Sequence, residues 1–564
     1  MLFALQLYYG IDDIKTVAAT ALTDGPNDKK CDLVYVDKDR SVVVVAQGYY
    51  SDLAKPSASA NKASDLNTAI SWLLDGNVET MPTTLRSAAL EVRAALEHDE
   101  VNSFELWYVH NLNESDNVKD EMERASGTAK RLIRDLHPDS QVVSITSREI
   151  GRTVLDDWYQ RTEVPIAVTN EFEVPIYGGF EEASEKWTAF CGSISGTWLR
   201  DIWTAHSTDL FSPNVRDYLG VVKSEKNINN GIKTSVREDP DQFWIFNNGV
   251  TIIVNDFEWR PGDAGSPGAL KVHGLGIVNG AQTTGTLGTL QDDEADKLEH
   301  VRVMARFVKC SDATILRDVV RFNNTQNKVE AADFRSNDNV QDRLRLEFSN
   351  IPEADYRGAR RGGIRDAIER KKNLLPDNTV AQALAAFHGR PNLAYNDTRR
   401  IWLEDGVYAQ HFSDNLSARH IVFCFSLLRS IEDAKAAISQ IIEKDRTEAQ
   451  KRHMEYFRRR GSLHLLASAI SASIESVIGK AVVNKHALRF KENVSPRVGT
   501  DAWSPIVAVS LAFSSTLSNA CDRDLQNSEK VRHAVSQFCA LIEATVDSNR
   551  QLYKDFAETV EIAS

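Results

Sequence analysis

Cysteine is scarce and scattered. Cys31, Cys191, Cys310, Cys424, Cys521 and Cys539 lie far apart and form no CxxC pair. This spacing excludes a disulfide framework and a zinc knuckle, and it points to a reduced, cytoplasmic setting. Basic charge is in deficit as well. The chain carries 66 Lys and Arg against 80 Asp and Glu, a net of −14. A global positive field that would grip a duplex everywhere is therefore excluded, and any nucleic-acid contact must come from a local patch. Long apolar runs are missing too. IVFCFSLL (421–428) and PIVAVSLAF (505–513) reach about half of the ~18 residues that span a bilayer, so no membrane partner is expected. The first residues, MLFALQLYYGIDD, lack a positive region and soon meet acids, which argues against a signal peptide. Neither an internal repeat nor a low-complexity tract is present.

What remains is an ordinary globular composition, 42% apolar and 26% charged, over 564 residues. That length holds about three to five domains' worth of material. Residues 1–165 read as α/β. CDLVYVD (31–37) and SVVVVAQGYY (41–50) are strands of a hairpin. Helices are expected over 65–76, 84–97 and 116–136, strands at FELWYVHN (104–111) and QVVSIT (141–146), and a helix over REIGRTVLDDWYQR. Residues 166–400 are richer in strands, Asn and Gly. Strands are expected at FWIFNNGVTIIV (243–254), LKVHGLGIVNG (270–280) and VRVMARFVK (301–309), with helices over 312–322 and 338–348. Residues 401–564 read as mostly helical, a scaffold or interaction layer. The fold class is thus α/β (α+β) and multidomain.

In the hairpin, Asp32 opens one strand and Gln47 ends the next. A metal-dependent nuclease needs a hard carboxylate, a second acceptor on the neighbouring strand, and a lysine two residues beyond it to position the attacking water. Asp32 and Gln47 fill the first two roles as candidate catalytic residues and ligands of Mg²⁺. Tyr49 occupies the lysine position, and a phenol carries no positive charge near neutral pH. Asp24 and Asp28 could add carboxylate density, and Lys30, Lys55 or Lys62 could supply the cation. An active PD-(D/E)XK-like nuclease, a nuclease-shaped domain without activity, and a plain surface hairpin all stay open on these residues.

Three Asn/Gln clusters mark the central region. GLGIVNGAQTTG (274–285) is a strand, a glycine turn and a helix start, where backbone N–H groups favour anions. Gln282, Thr283 and Thr284 could add hydrogen bonds to a phosphate there, and Asn279 would line the same ligand site. FNNG (246–249) contributes Asn247 and Asn248, and RFNNTQNKV (321–329) contributes Asn323. Turn chemistry alone accounts for such asparagines equally well. Basic charge concentrates in two segments. YRGARRGGIRDAIERKK (356–372) has seven basic residues against two acids, with Arg360 and Arg361 beside a double glycine; KRHMEYFRRR (451–460) has five against one. Both are candidate phosphate contacts, the second being equally a solvated helix face.

TDGPNDKKCDLVYVD, AQGYY, DLNTAISWLLDG, DLFSPNVRDYLG, FWIFNNGVTIIV, GLGIVNGAQTTG, RFNNTQNKVEAADFRSND and YRGARRGG, in that order, resemble the abortive infection phage resistance (AIPR) family. The blocks span roughly residues 20–365, and the resemblance fades beyond about residue 400. It implies bacterial antiviral defence. It also implies a PD-(D/E)XK nuclease-like domain over 1–165 and an AIPR core over 166–400, followed by the helical region over 401–564 read from its apolar spacing. Relatives carry an Asp-containing strand followed by Gln-x-Lys, so Asp32 and Gln47 match and Tyr49 departs. The NGAQTT turn is also similar, over a short stretch, to DGQHR-type and ParB-like proteins, where a comparable turn handles nucleotide phosphates. The expected partners are therefore DNA or RNA at a local patch, or a nucleotide at the central turn. A homodimer is left open as the assembly. A Mg-dependent endonuclease and a non-catalytic sensor or adaptor with a dead nuclease fold are the two functional expectations. A toxin-like arrest factor is a third, on which the sequence gives no handle.

Overall fold

The computed structural model describes residues 1–563 apart from 24, 26–27, 54, 141, 143, 164–165, 167, 207–209, 212–222, 264–265, 291–295, 313–314, 317–318, 320–331, 333–334, 336–337 and 359–372. Four strands, Leu33–Asp37 (β1), Val42–Tyr49 (β2), Ser103–His110 (β3) and Ser144–Ile150 (β4), form a sheet in that order. β1 runs antiparallel to β2, while β2, β3 and β4 are parallel. Parallel neighbours need long crossovers. Helices Ala60–Asp75 (α3) and Thr83–Glu97 (α4) make the first, and Asp116–Leu136 (α5) makes the second.

The valine run of β2 suits a pleated strand buried on both faces. Val43 and Val45 meet α3, α4 and α5 on one side. Val42, Val44 and Ala46 meet the helices Leu2–Tyr9 (α1) and Ile14–Ala21 (α2) on the other, where residues of Arg152–Glu163 (α6) also pack. The product is a three-layer α/β/α sandwich. In α5, Val118, Met122, Ala125, Ala129 and Ile133 recur every three or four residues and form its buried stripe.

The second sheet contains Val168–Ser184 (β5), Trp187–Ser195 (β6), Val250–Ile253 (β7), Asp256–Arg260 (β8), Gly268–Asn279 (β9) and Arg302–Cys310 (β10). β5 is long enough to pair with β9 through its first half and β6 through its second. The pairings β6–β10–β7–β9–β5–β6 therefore run in a closed ring. Ile176, Phe190, Ile252, Val272, Ile277, Val303 and Phe307 share its core with Leu199 and Trp203 of the helix Gly196–His206 (α7).

Two sequence expectations are corrected in detail. FWIFNNGVTIIV is not one strand: Phe243–Phe246 is a helical turn and only Val250–Ile253 is extended. Asn247 Oδ1 accepts the Gly249 N–H at 2.9 Å, and Gly249 takes φ 78°, which breaks the run. β4 extends to Ile150, taking Arg148 and Glu149 from the predicted helix, because Trp107 and Tyr108 of β3 pair with them. The predicted helix 312–322 falls largely outside the described residues.

The helices from Asn339 onward share one core that runs from Ala332 to Val560, so it takes in residues well before 401. A polar seam joins it to the N-terminal sandwich. Arg429, on the helix Ala418–Gln440, forks between Asp13 and Glu432, and Thr379 Oγ1 donates to Asp13 at 2.6 Å. Arg460 is buried against Glu91 at 3.3 Å and donates to the Val34 carbonyl at 3.0 Å. Arg459 pairs with Asp522 and Arg458 with Glu443. Arg458, Arg459 and Arg460 of the second basic segment are thus committed to protein partners, while Arg452 is exposed. No described helix is long and apolar enough to cross a membrane.

Candidate functional site

β1 begins at the edge where β2, β3 and β4 end, and this edge collects polar side chains. Ligands of open α/β sheets gather at such carboxyl ends. Backbone pairing holds Asp32 there: its N–H donates to Ala46 O and its carbonyl accepts from Thr23 N. The Asp32 carboxylate faces Gln47. Gln47 Nε2 and the Gly48 N–H both donate to Asp32 Oδ2 at 2.7 Å. The structure therefore joins the two residues that the hairpin reading paired across fifteen positions. Gln47 is buried, and its Oε1 has no hydrogen-bond partner. A buried carbonyl oxygen beside a carboxylate is a pair of hard oxygen donors, and that donor set fits Mg²⁺ completed by water.

Tyr49 lies one pleat further along the same face. Lys55 Nζ donates to its hydroxyl at 3.0 Å, and this bond draws the exposed phenol below its ordinary pKa. Lys55 thus brings to the edge the positive charge that the strand lacks. Lys30 and Lys62 are turned to Asp65, at 3.5 and 3.6 Å. Asp28 accepts N–H groups of Gly25 and Lys30, which is turn capping. Asp24 lies outside the described residues.

Sequence reasoning missed three neighbours. Tyr108 pairs with Gln47 in register, His110 with Tyr49, and Glu149 with Tyr108. Glu149 accepts from His110 Nε2 at 3.0 Å and from Ser115 N at 3.0 Å, so it anchors the start of α5. Tyr108 donates to Ser59 O, and burial pushes its pKa up. Because β3 is buried on both faces, the alternation that would single out His110 is hidden in an unbroken buried run. The usable signal was positional: polar residues at the ends of successive parallel strands.

In the central region Asn247 and Thr283 meet, Nδ2 donating to Oγ1 at 3.1 Å. Asn279 pairs in register with Thr251, whose hydroxyl accepts from Arg306 at 3.0 Å. Gly280, at φ 92°, opens the helix Ala281–Gly288. Gln282 is half-buried and Asn248 exposed. Asn323, Arg360 and Arg361 lie outside the described residues.

A three-layer sandwich with a carboxylate–amide pair at its strand ends, a ringed mixed sheet and a helical layer define a multidomain α/β protein. The chain belongs to the AIPR family: the family model, described as AIPR protein, matches residues 211–546, more than half of the chain. Its role is accordingly phage defence of the abortive-infection type. The match runs on through the helical region, which corrects the expectation that the resemblance fades near residue 400. It begins after the N-terminal sandwich. No curated protein and no solved structure matches the chain.

Proposed function

We propose that this phage-defence protein acts on nucleic acid at the N-terminal sheet edge, as a Mg-dependent nuclease. The observation that carries this reading is the buried, unpartnered Gln47 Oε1 beside the Asp32 carboxylate. These two residues would hold the metal. A bound divalent ion supplies Lewis-acid polarisation of a phosphodiester and lowers the pKa of its water. Lys55, bridged to Tyr49, attracts the scissile phosphate and offsets its charge. The acidic surface confines contact to such local cations, so binding is strongly salt-dependent.

The test is incubation of the full chain with plasmid DNA, phage DNA and RNA in Mg²⁺ or Mn²⁺. Metal-dependent cleavage is expected, falling at least about a hundredfold in Asp32→Ala, as when a main catalytic group is removed. Cleavage that survives Asp32→Ala would place the metal elsewhere. The non-catalytic reading, a sensor or adaptor, is favoured by Tyr49 at the lysine position together with the Asn247–Thr283 cluster. It predicts stabilisation by a nucleotide that is lost in Asn279→Ala; no thermal shift with any common nucleotide counts against it.

A further inference from the structure

The helical core holds a second cluster of chemistry unrelated to the sheet edge. His388 caps the C-terminus of the helix Asp377–Phe387. His420 and Cys424 sit one turn apart on the helix Ala418–Gln440, so they project from the same face. His388 Nε2 lies 3.0 Å from His420 Nε2, and Cys424 Sγ lies 3.3 Å from that same nitrogen. All three donor atoms fall within 4.8 Å of one another. His420 Nδ1 donates to the Leu488 carbonyl at 2.6 Å, which assigns the ring proton outward and leaves the Nε2 lone pair facing the cluster. Two imidazole nitrogens and a sulfur therefore converge on one point.

The walls suit a closed site. Phe387 stands edge-on to both imidazoles, and Phe423 packs against Phe387. The His486 ring stacks on His388 at 3.9 Å, and its Nδ1 is buried without a partner. His420 is fully buried and His388 half-buried. Neutral imidazole is the ligating form. Lys485, tied to the Ser471 carbonyl at 2.9 Å, is a cation within electrostatic reach of Cys424.

We infer that His388, His420 and Cys424 bind a structural zinc ion, with His486 or a water as the fourth ligand. An N,N,S donor set in tetrahedral reach selects a borderline-soft d¹⁰ ion over Mg²⁺ or Ca²⁺. Binding displaces the Cys424 thiol proton to solvent, so the thiolate and two neutral imidazoles hold Zn²⁺ in a centre that keeps one net positive charge. The ion would tie the helix Asp377–Phe387 to the helix Ala418–Gln440 and, through His420, to Leu488.

The experiment uses the full-length, tag-free chain, stripped with a chelator and titrated with Zn²⁺ or Co²⁺ alone. One metal per chain is expected, with a thiolate-to-cobalt charge-transfer band in the near ultraviolet and a Tm raised by Zn²⁺. Cys424→Ser should abolish the charge-transfer band, and His388→Gln should weaken Zn²⁺ binding about ten- to a hundredfold or more. Asp32→Ala should leave both readouts intact, which separates this site from the sheet edge. His388→Gln is the second variant should Cys424→Ser prove unstable. Absence of the band from the wild-type chain, or stoichiometry unchanged in both variants, overturns the assignment.

Discussion

The seam at Arg429 and the sheet edge at Asp32 are both polar, yet they are built in opposite ways. At the seam Asp13, Arg429 and Glu432 are enclosed, and each charge faces an opposite one. Burial would raise the Asp13 pKa, but Arg429 and its hydrogen bonds hold it below the ordinary carboxylate range. At the edge, Asp32 takes hydrogen bonds from Gln47 and Gly48, while Gln47 Oε1 is left without a partner. Complete pairing under burial is what a structural joint needs, since an uncompensated buried charge is costly. Incomplete pairing beside a carboxylate is what a ligand site can tolerate, because the ligand completes it.

The contrast can be broken experimentally. Arg429→Ala removes the only positive member of the Asp13–Arg429–Glu432 triad and should cost about 3–5 kcal/mol in urea unfolding. A loss below about 1 kcal/mol would place the seam with exposed ion pairs. Lys435, which donates to the Phe457 carbonyl at 2.8 Å, tests the same joint through pH. Burial lowers its pKa to about 7 in the folded chain, against about 10.4 unfolded. Between these values the unfolded chain binds more protons, so stability rises with pH. That rise should be smaller in Lys435→Met, and an identical slope in the variant would exclude Lys435 as its source.

Gly280→Ala should have an intermediate effect, about 1–3 kcal/mol by thermal unfolding. The residue takes a left-handed backbone, and a Cβ there would meet Val250 and the Gly249 carbonyl. Lys55→Ala should matter least to stability, within about 0.5 kcal/mol, because the Lys55–Tyr49 bond is exposed. The same variant should weaken nucleic-acid binding and flatten its salt dependence. If it changes Tm instead and leaves binding unmoved, Lys55 belongs to the joint rather than the site.

Much of the secondary structure was legible because its causes are local. The valine run of β2, the 3–4 spacing of α5 and the apolar periodicity of the last third all appear where the pattern predicts. FNNG misled because Gly249 adopts a left-handed conformation, which a strand pattern does not encode. The Asp32–Gln47 pair was legible because a hairpin brings its two ends together at short separation. Tyr108, His110 and Glu149 were not, because they arrive from strands separated by whole helices. KRHMEYFRRR misled in another way: a count of charge is silent on the acids and carbonyls that meet Arg458, Arg459 and Arg460 from distant elements.

The sequence by itself determined the elements, the family, the acidic balance and the pairing across the first hairpin. These depend on residue type and short-range spacing. Only the tertiary structure decided which charges are spent internally, that Lys55 rather than Lys30 or Lys62 reaches Tyr49, and that His388 meets His420 and Cys424. The reason is physical: a hydrogen bond or ligand set is a matter of a few ångströms, and residues far apart in sequence come that close only when helices and strands pack.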